Sequence, residues 1–251
     1  MAKKAIGIDV GGTGIKAAIV DTKTGELLSE RLRVETPKGG EPEAIAMVAR
    51  DLVDRLNPKP GLAVGICFPA VVRHGFTQSA ANVSEEWIGL NAHSLFESHL
   101  GRHVHVLNDA DAAGVAEMKF GAGKRAPGLT IMTTLGTGIG SALFYNGVLI
   151  PNSELGHLEI DGHDAELRAA FSAKEREELS FEDWAKRLQR YYQTLERLFS
   201  PDLFIVGGGI SKSHQEFLPL IELNTKIVPA TTKNAAGIIG AASIAYRSQS
   251  D

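Results

Sequence analysis

Residues 6–16 read Ile-Gly-Ile-Asp-Val-Gly-Gly-Thr-Gly-Ile-Lys. An apolar run that ends in an aspartate and a glycine-rich turn, then resumes as Ala17-Ala18-Ile19-Val20, predicts strand, tight loop, strand. Glycines allow positive φ and let backbone N–H groups converge on an anion with no side chain in the way, so a phosphate is the expected guest. The pattern occurs twice: Gly12-Thr13-Gly14-Ile15 returns as Gly136-Thr137-Gly138-Ile139, each copy flanked by apolar strands and each reaching a turn glycine, Gly25 and Gly147. Such an echo implies a duplicated domain whose ligand lies between the halves, each half lending one phosphate loop. Two unrelated glycine hairpins are the alternative. Although Gly136-x-Gly138-x-Gly140 superficially suggests a dinucleotide fingerprint, the residues after it alternate as a strand and show no helix pattern, which excludes that reading.

A chain of 251 residues, 43% hydrophobic and 22% charged, can build one large or two modest cores. No stretch approaches the roughly 18 to 20 apolar residues of a membrane span, and Met-Ala-Lys-Lys leads straight into a strand without a signal core, so no membrane association and a cytoplasmic location are expected. The single cysteine, Cys67, excludes an intramolecular disulfide and any multi-cysteine metal site. A net charge of −4 argues against nucleic acid as a partner.

Leu27, Leu28, Leu32 and Val34 suggest a further strand face, helical spacing from Ile45 to Leu56 predicts a helix over 43–56, and 62–68 reads as a buried strand. The first half is thus β-β-β-α-β. A strand over 103–107 delivers Asn108 and Asp109, and a helix follows over 110–120. Asp109 and Asp111 both qualify as a carboxylate able to orient a hydroxyl and take its proton. By position Asp111 better suits the helix's first turn. Residues 168–178 read as a solvated charged stretch, Ser180 to Asp183 as a capping box ahead of an apolar helix face from Phe181 to Phe199, and 203–206 as a strand leading into Gly207, Gly208 and Gly209. Residues 234–246, rich in glycine and alanine, predict a close-packing terminal helix.

Asp9-x-Gly11-Gly12-Thr13-x-x-Lys16 and Leu135-Gly136-Thr137-Gly138-Ile139-Gly140 resemble the phosphate loops of the actin-like sugar kinases and, within them, the ROK family. The run Gly156-His157-x-Glu159-Ile160-Asp161-Gly162, without the three downstream cysteines that bind zinc in many members, is similar to the polyphosphate glucokinase branch. The resemblance implies an α/β fold of the duplicated actin-like ATPase (ribonuclease H-like) class, with two lobes around a cleft. It places a small lobe at 1–108, a larger lobe at 109–233 and a terminal helix, 234–251, packing back on the first.

The resemblance also implies a kinase acting on the 6-hydroxyl of glucose with polyphosphate or ATP as donor, Mg²⁺ as cofactor, no zinc, and a homodimer. It makes Asp109 the catalytic carboxylate and Asn108 a sugar partner, with Pro69, Ala70, Asn82, Glu154, His157 and Glu166 completing the glucose contacts. Asp9, Gly11, Gly12, Thr13, Lys16, Gly136, Thr137 and Gly138 would hold phosphate, and Asp9 would hold Mg²⁺ through water. Lys124, Arg125, Gly207, Gly208 and Gly209 fall on the donor side. Further cations that could meet a polyanion are Lys119, Arg168, Lys174, Arg176, Lys186, Arg187, Arg190 and Lys212, unless they are simply solvated among neighbouring acids. A strictly ATP-dependent hexokinase for another sugar, a non-catalytic sugar-binding protein and a transcriptional regulator are the rival readings. The last would carry a helix-turn-helix ahead of the first phosphate strand.

Overall fold

The computed structural model describes residues 3–249; Met1, Ala2, Ser250 and Asp251, at the ends of the expected segments 1–108 and 234–251, lie outside the described residues. In chain order, strands β1 (Lys4–Gly11), β2 (Gly14–Asp21) and β3 (Leu32–Val34) precede helix α1 (Pro42–Leu56) and strand β4 (Val64–Phe68). The small hairpin β5 (Val72–Arg73) and β6 (Phe76–Thr77), helix α2 (Ala92–Leu100), strand β7 (Val104–Asn108) and helix α3 (Asp109–Phe120) follow. Then come β8 (Leu129–Leu135), β9 (Ile139–Tyr145), β10 (Val148–Ile150), the hairpin β11 (Glu159–Ile160) and β12 (His163–Asp164), and helices α4 (Ala165–Ala169), α5 (Phe171–Arg176) and α6 (Phe181–Phe199). Strands β13 (Leu203–Gly207) and β14 (Lys226–Pro229) and helix α7 (Ala236–Ser248) complete the chain.

Two compact units result: one runs through Ala116 and resumes at Ala235, the other is Glu117–Asn234, so the first division falls inside α3. Their sheets have the same plan. The first is ordered β3-β2-β1-β4-β7 and the second β10-β9-β8-β13-β14. In each, the hairpin strands pair antiparallel and the two remaining strands add in parallel. The repeated glycine motif therefore marks a repeated sheet, since each copy occupies the turn between the same two strands of its own unit.

In the first unit, α1 begins with Pro42, which has no N–H to leave unsatisfied, and buries Ile45, Ala46, Ala49, Leu52 and Val53. Asn57 ends it in the left-handed region at φ 44°. The face of α7 lies on β1 and β4 at backbone contact. A Cβ on Gly7 would stand 2.0 Å from the Ile238 carbonyl oxygen and one on Gly65 1.9 Å from that of Ala241; where α7 meets α3, one on Gly240 would stand 1.7 Å from the Ala112 carbonyl oxygen. In the second unit the Ser180 hydroxyl accepts from the Asp183 N–H at 3.1 Å, as the capping box requires. The helix it starts, α6, buries Trp184, Leu188, Tyr191, Tyr192 and Leu195, each such side chain contributing about 1.5–3 kcal/mol by its removal from water.

Three expectations are corrected. The face expected from Leu27 to Val34 is strand only at Leu32–Val34, because Leu27 makes an isolated bridge to Val20 and Leu28 is exposed. Residues 168–178 are not simply solvated, since α4 and α5 bury Ala169, Ala170 and Ala173. None of the phosphate-loop glycines has positive φ. Gly12, Gly14 and Gly138 serve close approach instead, to Asn82, Arg33 and Glu166, whereas a Cβ on Gly136 would meet open space.

Gly65→Ala should place a methyl group inside the Ala241 peptide. Overpacking of this kind costs about 1–3 kcal/mol, and more where backbone is the obstacle, so urea unfolding should show a clearly lowered midpoint. An unchanged midpoint would show that α7 can move off the sheet at no cost.

Candidate active site

The first phosphate turn is Gly12-Thr13, both exposed, between the paired residues Gly11 and Gly14. The turn is braced from the neighbouring strand, where Arg33 donates to the Thr13 carbonyl at 3.0 Å and its guanidinium lies where a Gly14 side chain would be. A Cβ on Gly12 would meet Cβ of Asn82 at 3.0 Å, so the expected sugar-contacting asparagine stands directly beside the turn. Asn82 is exposed with φ 61°, a left-handed conformation that asparagine tolerates.

Asp9 lies opposite Lys16 on β2 and Cys67 on β4. Its Oδ2 accepts from Lys16 Nζ at 2.9 Å and its Oδ1 from the Cys67 thiol at 3.5 Å. Burial, reinforced by the charges of Asp9 and Asp109, pushes the Cys67 thiol up, which keeps its proton available to Asp9.

Asn108 ends β7 and caps α3. Its Oδ1 accepts from the Ala110 and Asp111 N–H groups at 2.8 and 3.1 Å, and its Nδ2 donates to the Ala70 carbonyl at 3.1 Å. The amide is thus largely committed to holding the Pro69-Ala70 turn against the helix start. Asp109, the first residue of α3, is exposed, whereas Asp111 is buried. Only Asp109 of the two is reachable by a solvent-borne hydroxyl.

In the second unit the turn is Gly136-Thr137-Gly138, between paired Leu135 and Ile139. Ser172 at the start of α5 fastens it, its N–H to the Gly136 carbonyl at 3.0 Å and its hydroxyl to the Thr137 carbonyl at 2.6 Å. Glu166 closes the other side by accepting from the Ile139 N–H at 2.9 Å, and a Cβ on Gly138 would fall 2.4 Å from its Oε2. His157 Nδ1 is 3.0 Å from Asp164 Oδ2 and 3.9 Å from Glu166 Oε1. The Asp164 hydrogen bond raises the His157 pKa, with the charges of Glu166 and Glu154 assisting. Desolvation raises Glu154, against the opposing charge of His157. Glu154, His157 and Glu166 thus form one cluster. Gly207 ends β13, and Gly208, at φ 86°, packs where a Cβ would lie 2.3 Å from the Leu135 carbonyl, so the glycine turn of the donor side abuts the phosphate turn. Lys124 and Arg125 are exposed in the turn after α3.

Arg33, Asp164, Ser172 and the role of Cys67 were not evident from sequence. Each acts through a partner brought close by sheet register or by the α4–α5 corner, and no local motif marks it. Among the described residues no group of three or more His, Cys, Asp or Glu is arranged to hold a metal ion, and no helix is long and apolar enough to cross a membrane.

Because its pKa is raised, His157 keeps its proton to higher pH than an ordinary histidine, and the charged pair with Asp164 is lost as pH rises through that value. An NMR titration of the imidazole should show the upward shift and its reduction in Asp164→Asn. An identical titration in the variant would remove Asp164 as the cause.

Residues 5–170 match the ROK family profile. The chain is 48% identical over 241 residues to a polyphosphate glucokinase of Mycobacterium tuberculosis, covering 96% of this chain and 90% of that one. It is similar to the crystal structure of an inorganic polyphosphate/ATP-glucomannokinase from Arthrobacter sp. strain KM, with TM-score 0.92 and 52% identity over 98% of this chain and 99% of that one. A ROK family glucokinase from Streptomyces griseus, solved with glucose and AMPPNP, matches at TM-score 0.82 and 25% identity over 97% of this chain and 99% of that one. With its two like sheets and its two glycine turns, the chain belongs to the ROK family and has the duplicated actin-like α/β fold of its sugar kinases.

Proposed function

We propose that the protein is a glucokinase that transfers a phosphoryl group from polyphosphate or ATP to the 6-hydroxyl of glucose. The observation that carries this is the pairing, within each unit, of a glycine turn with a polar residue suited to sugar hydroxyls: Gly12 against Asn82, and Gly138 against Glu166. Phosphoryl transfer to a hydroxyl needs anion-holding and polyol-holding groups side by side. The donor assignment draws on the relatives from Mycobacterium tuberculosis and Arthrobacter, whose names specify polyphosphate.

In this reading Asp109 accepts the proton of the 6-hydroxyl, and its place at the junction of β7 and α3, behind the Asn108 cap, limits its movement. Asn82, Glu154, His157 and Glu166 pair with ring hydroxyls. A sugar lacking one of those hydroxyls leaves a polar group unpaired, which is how such a site discriminates. The Pro69-Ala70 turn and the one Asn108 Nδ2 hydrogen not given to Ala70 complete the sugar side. Gly11 to Thr13 and Gly136 to Gly138 offer backbone to the transferring phosphate, and Lys16 supplies positive charge. Gly207 to Gly209, Lys124 and Arg125 take the rest of the donor.

A sugar kinase family implies a divalent cation. We take it as Mg²⁺, which would offset charge on the donor phosphates. The Asp9 carboxylate, 21% exposed and already touched by Lys16 and Cys67, fits a hold through water better than direct ligation. A homodimer working in the cytoplasm belongs to the same proposal.

Asp109→Asn should lower turnover by at least about 100-fold, the lower range for loss of general-base help, while the protein stays folded and binds glucose. Turnover close to wild type would remove Asp109 from this role. With purified protein, glucose and Mg²⁺, both long-chain polyphosphate and ATP should yield glucose 6-phosphate at matched terminal-phosphate concentration. Product from ATP alone would leave an ATP-dependent hexokinase of the same fold.

A further inference from the structure

Two residues to which the proposed reaction gives no part, Thr36 and Ser172, each send a hydroxyl into a phosphate turn of their own unit. The Thr36 hydroxyl donates to the Gly11 carbonyl at 2.5 Å. Ser172 gives its hydroxyl to the Thr137 carbonyl at 2.6 Å and its N–H to the Gly136 carbonyl at 3.0 Å. Both residues are well placed for this. Thr36 precedes Pro37, which confines it to extended backbone. Ser172 is the second residue of α5, where an N–H has no partner inside the helix and is available to the turn.

The turns do not take the shapes that hairpins adopt unaided. A two-residue loop favours a turn with positive φ, and a three-residue loop favours one left-handed residue. Neither Gly12 nor Thr13 has positive φ, and none of Gly136, Thr137 and Gly138 does. Their conformations are therefore held from outside, by Thr36 and Arg33 in the first unit and by Ser172 and Glu166 in the second.

The peptide unit gives these bonds a direction. A planar trans peptide points its carbonyl and the following N–H opposite ways, and no peptide bond is cis. Holding the Gly11 carbonyl thus aims the Gly12 N–H. Holding the Gly136 and Thr137 carbonyls aims the N–H groups of Thr137 and Gly138. Among the described residues these three N–H groups have no hydrogen-bond partner. Their neighbours are engaged, the Gly136 N–H with the Gly138 carbonyl at 3.0 Å and the Ile139 N–H with Glu166 at 2.9 Å. All three carbonyls of the second turn are then taken, and what it leaves open is two successive donors. Successive N–H groups that converge make an anion receptor. A carbonyl released from its anchor could swing toward the same anion and repel it.

We propose that the hydroxyls of Thr36 and Ser172 are positioning groups for the donor phosphates: they touch no anion themselves, but hold the turn carbonyls back so that the N–H groups face one. The identity of that anion as a donor phosphate rests on the glucokinase reading. The aim of the N–H groups does not.

The test compares wild type, Thr36→Val and Ser172→Ala in steady-state kinetics with ATP and with long-chain polyphosphate, and in calorimetric titrations with Mg²⁺-tripolyphosphate and with glucose. Each variant should raise the donor KM and weaken tripolyphosphate binding by about 3- to 10-fold, the worth of one ordinary hydrogen bond. Glucose affinity and kcat should stay near wild type, and Thr36→Ser and Ser172→Thr should restore donor binding. Each variant decides for its own turn, so that if one fails to fold the other still tests the idea. Unchanged donor binding would show that the turn keeps its shape unaided, and equal losses for donor and glucose would show a merely structural brace. Either result would overturn the proposal. Failure of the glucokinase reading looks different: wild type would yield no glucose 6-phosphate with either donor, while tripolyphosphate binding in the variants would still decide the role of the two hydroxyls.

Discussion

The first unit rests on one close contact, a helix backbone lying directly on a sheet. Gly7 and Gly65 each occupy a place where a single methyl would overlap a carbonyl of α7, and Gly240 of α7 does the same against Ala112 of α3. Their absence of side chain lets α7 settle low enough for its second residue, Gly237, to reach the strand ends. A Cβ there would be 2.8 Å from the Cys67 sulfur and 3.4 Å from Asp9 Cγ. Asp9 is thereby held from three sides, by Lys16 across one strand, Cys67 across the other and the first turn of α7. A helix start also favours a negative charge beside it, by some tenths of a kcal/mol to about 1 kcal/mol at an exposed site. The carboxylate expected to serve the metal is therefore positioned by packing that begins several residues away.

The second unit uses the same economy of side chains with different chemistry. Gly138 and Gly156 both make room for Glu166, whose Oε2 would lie 2.4 and 3.2 Å from their respective Cβ positions. Glu166 can then bond the Ile139 N–H and fix the phosphate turn while its other oxygen faces His157. Three carboxylates, Glu154, Asp164 and Glu166, surround one imidazole, so the local charge favours imidazolium over imidazole. A protonated His157 gives its Nδ1–H to Asp164 and leaves its Nε2–H for a sugar, and the carboxylates offer acceptors. That mixture suits hydroxyls, each of which donates and accepts.

Much of this was legible because the informative signals were local. The strand-turn-strand pattern, its echo, the α1 periodicity and the Ser180 cap each depend on residues within a few positions, and all appear in the structure. The glycines were recognised, and of the two reasons expected for them positive φ is the one that fails. Positive φ is a property a reader can attach to any glycine, whereas close approach depends on what arrives from elsewhere, here Asn82 and Glu166. Asn108 shows the same limit. An asparagine at a strand end reads as a free amide, but fold context commits its oxygen to capping α3 and one of its two N–H groups to Ala70. Short elements such as β11, β12 and β14 lack enough residues to display a period, so only their pairing partners reveal them.

Glu117 is the extreme case. It sits in an alanine-rich helix, where a glutamate is ordinarily a solvated residue, yet it is fully buried. Its carboxylate accepts from the N–H groups of Ala122, Thr231 and Thr232 at 2.7, 2.9 and 2.6 Å and from both threonine hydroxyls. An unpaired buried carboxylate would be very unfavourable, so the burial is sustained only because every approach is a donor. Gly121 must be glycine for the turn to close over it, a Cβ there falling 2.1 Å from Oε2. Three of the five donors are backbone, which any residue but proline would supply, and so Thr231 and Thr232 advertise nothing in sequence. The demand lies entirely on the acceptor. Glutamine would turn one oxygen into a donor aimed at donors, and aspartate would fall short by a methylene. A single ordinary-looking charge thus joins the end of α3 to the chain segment ahead of α7.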